Sequence, residues 1–217
     1  MQIGFVDHYD SFSFNVIDWL REPGVEILYA PFDHGDAMQR IADAGCPIVL
    51  SPGPGRPEEV LPSLRLVQRA LGRVPIFGIC LGHQILGALA GARIIRSAAP
   101  FHGSARVITV DQSRGVLCYA KSSFRAGVYH SLVVEEATLP PEWQVLARDH
   151  LGEVQAIMWQ PGECLAPAFG VQFHPESFLS EAADMIRTSW FEVCADFLVK
   201  NHPIRRLPNQ RSRAFCP

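Results

Sequence analysis

Several large protein classes leave marks that this chain lacks. It has six cysteines (46, 80, 118, 164, 194 and 216) in 217 residues, and no two form a Cys-x-x-Cys pair. The spacing of a disulfide framework or a cysteine-rich zinc site is therefore absent. Reduced thiols in a cytoplasmic protein are the natural reading. No apolar run reaches the roughly 18 residues of a membrane span, so no membrane association is expected. The formal charge of -3 lacks the basic excess of a nucleic-acid binder. The opening MQIGFVDHYD has no basic leader, which argues against a secretory signal. Gly-x4-Gly-Lys-Ser/Thr is missing, and so is His-Glu-x-x-His, which removes a phosphate-binding P-loop and a zinc-protease helix. Cys80-x-x-His83 with His174-x-Glu176 superficially suggests a zinc deaminase, but the Pro-Cys-x-x-Cys such a site needs is absent. No metal site is expected.

The chain does have a generous core composition, 48% hydrophobic and 19% charged. A chain of this size buries about 70% of the surface its unfolded form exposes. One domain over residues 1–200 is expected, followed by a basic tail, 201–217, with four arginines and no acid. That tail reads as a solvated end.

The first half alternates strand and helix signals. Residues 2–6, 25–30, 47–51 and 74–79 read as short buried strands. Helices are expected after Asp10 or Ser11, which can cap, and over 35–43, 62–72 and 83–90, the last stopped by Gly91. Phe12, Val16, Trp19 and Leu20 share one face of the first helix. Such alternation implies a mostly parallel, doubly wound α/β sheet flanked by helices. Its site lies beyond the carboxyl ends of the strands, where the loops 7–11, 51–57 and 80–83 fall. The second half reads as strands at 106–110, 132–136, 143–148, 154–159 and 169–173, extending or flanking the sheet and partly antiparallel. A helix over about 181–199 carries Ala183, Ile186, Trp190, Val193 and Phe197 at helical spacing.

Gly78-Ile79-Cys80-Leu81-Gly82 has the form Gly-x-nucleophile-x-Gly. It suits a strained strand-to-helix elbow whose glycines remove clashing side chains. A helix N-terminus and a nearby imidazolium would favour the thiolate. The Leu81 N–H would point to a developing oxyanion. Taken alone, the pattern fits a buried core cysteine equally well.

A nucleophilic cysteine needs a base. His83 follows on the first helical turn, directed away from Cys80, while His8 and His130 lie in loops that spacing does not exclude. His174 stands at the end of the strand 169–173, with Glu176 two residues on. In extended structure those two face the same side, so the carboxylate can orient the imidazole. Pro175 favours an extended His174. Leu50-Ser51-Pro52-Gly53-Pro54-Gly55 forms a stiff loop whose glycines let the backbone approach a ligand.

Five stretches then carry a resemblance: DHYDSFSFN (7–15), LSPGPGRP (50–57), GICLGHQ (78–84), YHSLVV (129–134) and GVQFHPES (170–177). With these, in this order, the chain resembles the class I (triad-type) glutamine amidotransferases. More narrowly it resembles the small glutaminase subunit, component II, of anthranilate or aminodeoxychorismate synthase. The resemblance implies a flavodoxin-like fold and a Cys80, His174, Glu176 triad. It places the oxyanion hole at Gly55 and Leu81. It assigns L-glutamine binding to Gly53, Pro54, Gly55, Gln84, Ser131 and Leu132. It implies no cofactor in this subunit, Mg2+ being expected on the partner, and a chorismate-using synthase (component I) as the recipient of the ammonia, since 217 residues leave no room for a second catalytic domain. The YDSF segment and the elbow loops would face that partner.

The chain departs from the family pattern at four places. Ser104 follows His102-Gly103 where a basic residue is usual. Val128 precedes the Tyr-His-Ser-Leu segment where arginine is usual. His8 stands where asparagine is common, and 180–183 read SEAA. Two other readings keep part of the constellation. One is a cysteine-elbow hydrolase or peptidase, against which the YHSL and SPGPG segments speak. The other is a non-catalytic binding subunit, against which the intact Cys, His and Glu speak. An amidotransferase subunit serving a different acceptor synthase also fits.

Overall fold

A computed structural model describes residues 1–99, 103–160, 162 and 165–201. His102 and the basic tail from residue 202 onward lie outside the described residues. The chain runs β1 (Gln2–Asp7), α1 (Ser13–Trp19), β2 (Glu26–Pro31), α2 (Gly35–Ala44), β3 (Ile48–Leu50), α3 (Leu61–Ala70), β4 (Ile76–Ile79) and α4 (Leu81–Leu89). It continues through β5 (Ile94–Arg96), β6 (Ser104–Val110), β7 (Ser123–Val128), β8 (Leu132–Val134), β9 (Trp143–Asp149), β10 (Val154–Trp159), β11 (Ala168–Val171) and α5 (Ala183–Asn201).

Nine strands form one mixed sheet in the order β2-β1-β3-β4-β11-β10-β9-β6-β7. β2, β1, β3, β4 and β11 are mutually parallel, and the strands from β10 outward are antiparallel. The doubly wound sheet with antiparallel strands from the C-terminal half is thus present as expected. Helices cover both faces. Phe5, Phe77 and Val171 share one core cluster with Val16 of α1, Leu20 just after that helix, and Ile186 and Trp190 of α5. Val6, Leu50 and Ile76 share the other with Ile41 of α2, Val67 of α3 and Ile85 of α4. Alternate residues of one strand feed opposite layers, which is why the parallel strands read as unbroken apolar runs.

Several boundaries differ from the sequence reading. Helix α4 begins at Leu81, directly after Cys80, rather than at 83. Neither Asp10 nor Ser11 caps α1: Phe12 holds that position without a side-chain cap. Asp10 instead accepts the Phe12 N–H at 2.8 Å, closing a turn just ahead of the helix. Residues 132–136 do not join the main sheet. Leu132–Val134 pairs with β5 in a separate two-stranded sheet, and Glu136 opens a short 3-10 turn. β5 and β7 were not expected. The β7 sequence SFRAGV does alternate, with Phe124, Ala126 and Val128 buried and Ser123 and Arg125 exposed, a period-two signal that the sequence reading passed over.

Candidate active site

Strand order brings the two distant motifs together. β4 and β11 are parallel neighbours in register Ile79↔Val171. Cys80 follows the first and His174 lies just beyond the second, and the Cys80 N–H donates to the Val171 carbonyl at 2.8 Å. Both side chains therefore stand at the carboxyl edge of the parallel sheet, where such folds place ligands.

Cys80 is buried, with φ 53° and ψ -101°. A non-glycine residue in that region costs about 1–3 kcal/mol and persists only where its surroundings enforce it. The enforcement is steric crowding at the flanking glycines. A Cβ on Gly78 would lie 2.4 Å from the Gly82 carbonyl, and one on Gly82 would lie 2.5 Å from the Leu50 carbonyl oxygen. The elbow is thus wedged between its own helix and β3. Leu81, as the first residue of α4, has an N–H with no helical carbonyl four residues back.

The His174–Glu176 pair is made, but not by strand alternation. β11 ends at Val171 and the chain turns over 175–176, with His174 held in an isolated bridge to Gly127. The turn swings Glu176 back so that His174 Nδ1 meets Oε1 at 2.7 Å, both side chains being inaccessible to solvent. The missed strand β7 is the anchor, since the His174 N–H donates to the Gly127 carbonyl at 2.9 Å. Ser180, in the divergent 180–183 stretch, donates to the His174 carbonyl at 2.5 Å and accepts from the Gly127 N–H at 3.0 Å. Phe12 and Tyr129 pack edge-on against the imidazole, with centroids at 5.4 and 4.9 Å.

Burial disfavours an imidazolium at His174. The charge set against it at Cys80, and the hydrogen bond and charge of Glu176, outweigh that penalty and raise its pKa well above the ordinary histidine value. The same charges are absent from the other candidate bases. Burial lowers His8 to about 4, against hydrogen bonding to Ser51 and the charge of Asp7. Burial lowers His83 to about 3, and that ring packs on Gly170 of β11. Burial, then the positive charges of Arg106 and His174, lower His130 to about 4. Burial holds these three neutral near pH 7. His8 pins the glycine–proline loop. Its Nδ1 faces the Ser51 carbonyl at 3.2 Å and must donate to it, which leaves Nε2 to accept from Ser63 Oγ at 2.9 Å.

The remaining expected residues lie on the loop 50–57, on α4 and over 131–132. Gly53 abuts His8 and the Leu81 side chain, so the loop 50–57 leans on the start of α4. Pro54 and Gly55 are exposed in it, Gly55 with φ +80°. Gln84 is buried and donates to the Leu132 carbonyl at 3.1 Å. Ser131 is exposed beside it. Sequence reasoning passed over Gln172, whose amide nitrogen lies 3.7 Å from Cys80 Sγ. The available signal was an amide between Val171 and Phe173 in a run expected to be buried. Among the described residues, no group of three or more His, Cys, Asp or Glu side chains could hold a metal ion. No helix among them is long and apolar enough to cross a membrane.

Comparison with known proteins agrees with this arrangement. Residues 5–193 match the family model of the class-I glutamine amidotransferases. The bifunctional protein TrpGD of Thermotoga maritima is 37% identical over 190 residues, covering 87% of this chain and 31% of that protein. Anthranilate synthase component 2 of Mycobacterium tuberculosis is 35% identical, over 100% of this chain and 92% of that one. Aminodeoxychorismate synthase component 2 of Escherichia coli is 37% identical, over 81% and 91%. A glutamine amidotransferase from Thermotoga maritima has the same fold, with TM-score 0.67 and 18% identity over 93% of this chain and 85% of that one. With its elbow thiol and buried imidazole–carboxylate pair at adjoining strand ends, and a family match spanning nearly its whole length, the chain belongs to the class-I glutamine amidotransferases.

Proposed function

We propose that the chain is a glutaminase subunit that hydrolyses L-glutamine and passes the ammonia to a chorismate-using synthase, making anthranilate or aminodeoxychorismate. One observation carries the reading: the Cys80 thiol stands one parallel strand away from a histidine whose ring is paired with a buried carboxylate. In this reading the Cys80 sulfur attacks the side-chain amide carbon of glutamine. His174 gives its proton to the departing ammonia and Glu176 stabilises the imidazolium. The N–H groups of Leu81 and Gly55 would hold the oxyanion, each worth about 3–4 kcal/mol in such a transition state. Water activated by His174 then cleaves the thioester to glutamate. Gln84 and the backbone of Ser131 and Leu132 would hold the substrate, with Gly53 and Pro54 shaping the pocket. No step calls on a cofactor in this chain.

The ammonia needs a consumer. Phe14 is 68% exposed and Phe178, directly after the HPES segment, is 91% exposed. Large apolar side chains flanking a site in this way suit a protein partner. A cavity of about 510 Å³ is lined by Phe14, Asn15, Asp18, Trp19 and Glu176.

The test is glutamate release from glutamine by the purified chain mixed with a chorismate-using synthase. Release is expected with the wild type and is expected to fall at least about 10³-fold in Cys80→Ser. Turnover of peptides or thioesters without turnover of glutamine would favour the cysteine-elbow hydrolase instead.

A further inference from the structure

Gln172 connects the sulfur to the residues assigned to the substrate pocket. Its side chain is wholly buried, and its backbone N–H is fixed to the Gln155 carbonyl at 2.9 Å. Its Oε1 accepts from Gln84 Nε2 at 3.1 Å, and its Nε2 lies 3.7 Å from Cys80 Sγ. An amide fits a pocket equally well either way round, because its oxygen and nitrogen are nearly the same size. Here the direction is imposed from outside. The Leu132 carbonyl can only accept, so Gln84 must present its NH2 group there. That same NH2 meets Gln172, which must answer with its oxygen. The NH2 of Gln172 is left facing the sulfur.

We propose that Gln172 is a further functional residue of this site, holding the Cys80 side chain and donating a hydrogen bond to its thiolate, its direction set by Leu132 through Gln84. The proposal rests on Cys80 being the nucleophile described above. A fixed donor favours the anionic sulfur over the thiol, because hydrogen bonds to charged acceptors are the stronger ones. His174, backed by Glu176, is the ionisable group set against the same sulfur, with His130 beyond it. The Gln84 NH2 group donates to both Leu132 and Gln172, and only the arm from Gln84 through Gln172 to Cys80 runs donor to acceptor toward the sulfur, so those two amides polarise one another. A substrate that engages Gln84 is therefore felt at the nucleophile.

The test reads the sulfur directly. Full-length wild type, Gln172→Met and Gln172→Glu are treated with iodoacetamide across a pH series, and modification is followed on the Cys80 peptide by mass spectrometry. Met keeps the length without a donor. Glu keeps the shape and still accepts from Gln84, so it carries the test if the Met variant fails to fold. Both are expected to react about tenfold more slowly at neutral pH, with the profile displaced upward by about one pH unit. Gln84→Met, which frees Gln172 to turn its oxygen to the sulfur, is expected to slow the reaction in the same direction. A wild-type profile in a folded Gln172 variant, or in Gln84→Met, overturns the proposal. The comparison needs no glutamine. A wild-type chain that releases no glutamate with any synthase defeats the glutaminase reading and leaves this result standing on its own.

Discussion

Phe12 lies edge-on to the His174 imidazole, the ring centroids 5.4 Å apart and the planes at 64°. The YDSF segment, expected to face a partner, therefore also fixes the ring that would move the proton. Phe12→Ala should lower kcat about 10- to 100-fold, the cost of a misplaced reacting group, and change KM less than about threefold. Steady-state glutaminase kinetics with the synthase present decide it. A change confined to KM would make Phe12 a substrate contact instead.

Glu176→Gln keeps the shape of the pair and removes its charge. Activity should fall about 10²- to 10⁴-fold. Glu176 is among the groups that raise His174, so the His174 titration should move toward the ordinary value. Nuclear magnetic resonance of labelled histidine reads that shift, and an unmoved titration would deny the carboxylate its role.

Gly82→Ala tests the wedge under the elbow. The new methyl group would sit 2.5 Å from the Leu50 carbonyl oxygen and 2.8 Å from Leu50 Cβ. The backbone of β3 or α4 must shift, at a cost of about 1–3 kcal/mol. Chemical denaturation should show that loss, accompanied by slower Cys80 alkylation. Unchanged stability would mean that the elbow is looser than its contacts indicate.

Acid should destabilise the fold in a defined window. His8, His83 and His130 have folded pKa values of about 4, 3 and 4, below the unfolded value of about 6.5. The unfolded chain binds more protons between those limits. Stability is thus full above about pH 6.5 and falls as pH drops toward 4, by up to about 1.4 kcal/mol per unit for each histidine. His174 has the opposite sign. Its raised pKa contributes fully below about 6.5 and is lost as pH rises through the folded value. Urea midpoints should fall from pH 7 to pH 5, less steeply in His8→Asn. Midpoints flat over that range would contradict three buried neutral imidazoles.

The departures at Ser104 and Val128 looked independent in the sequence. In the sheet they are direct partners across β6 and β7. Two positions on, Arg106 is buried in an ion pair with Asp149 at 2.5 Å and with Glu153 at 3.3 Å. The His8 departure likewise has a local account, since the ring joins β1 to the Ser51 and Ser63 hydroxyls through one imidazole.

Local chemistry was readable without coordinates. The elbow at 78–82, the glycine–proline loop, the strand–helix alternation and the adjacency of His174 and Glu176 all depend on residues a few positions apart, where sterics and periodicity act. Which strand lies beside which does not depend on such neighbours. β11 enters the sheet next to β4 only because the chain returns there after some ninety residues, and that return makes Cys80 and His174 neighbours. Tertiary burial decided that three of the histidines stay neutral. It also decided that β7 is the anchor beneath His174. A carbonyl on Leu132 fixes the direction of an amide on Gln172 through Gln84, because a hydrogen-bond direction belongs to the set of partners and not to any residue alone.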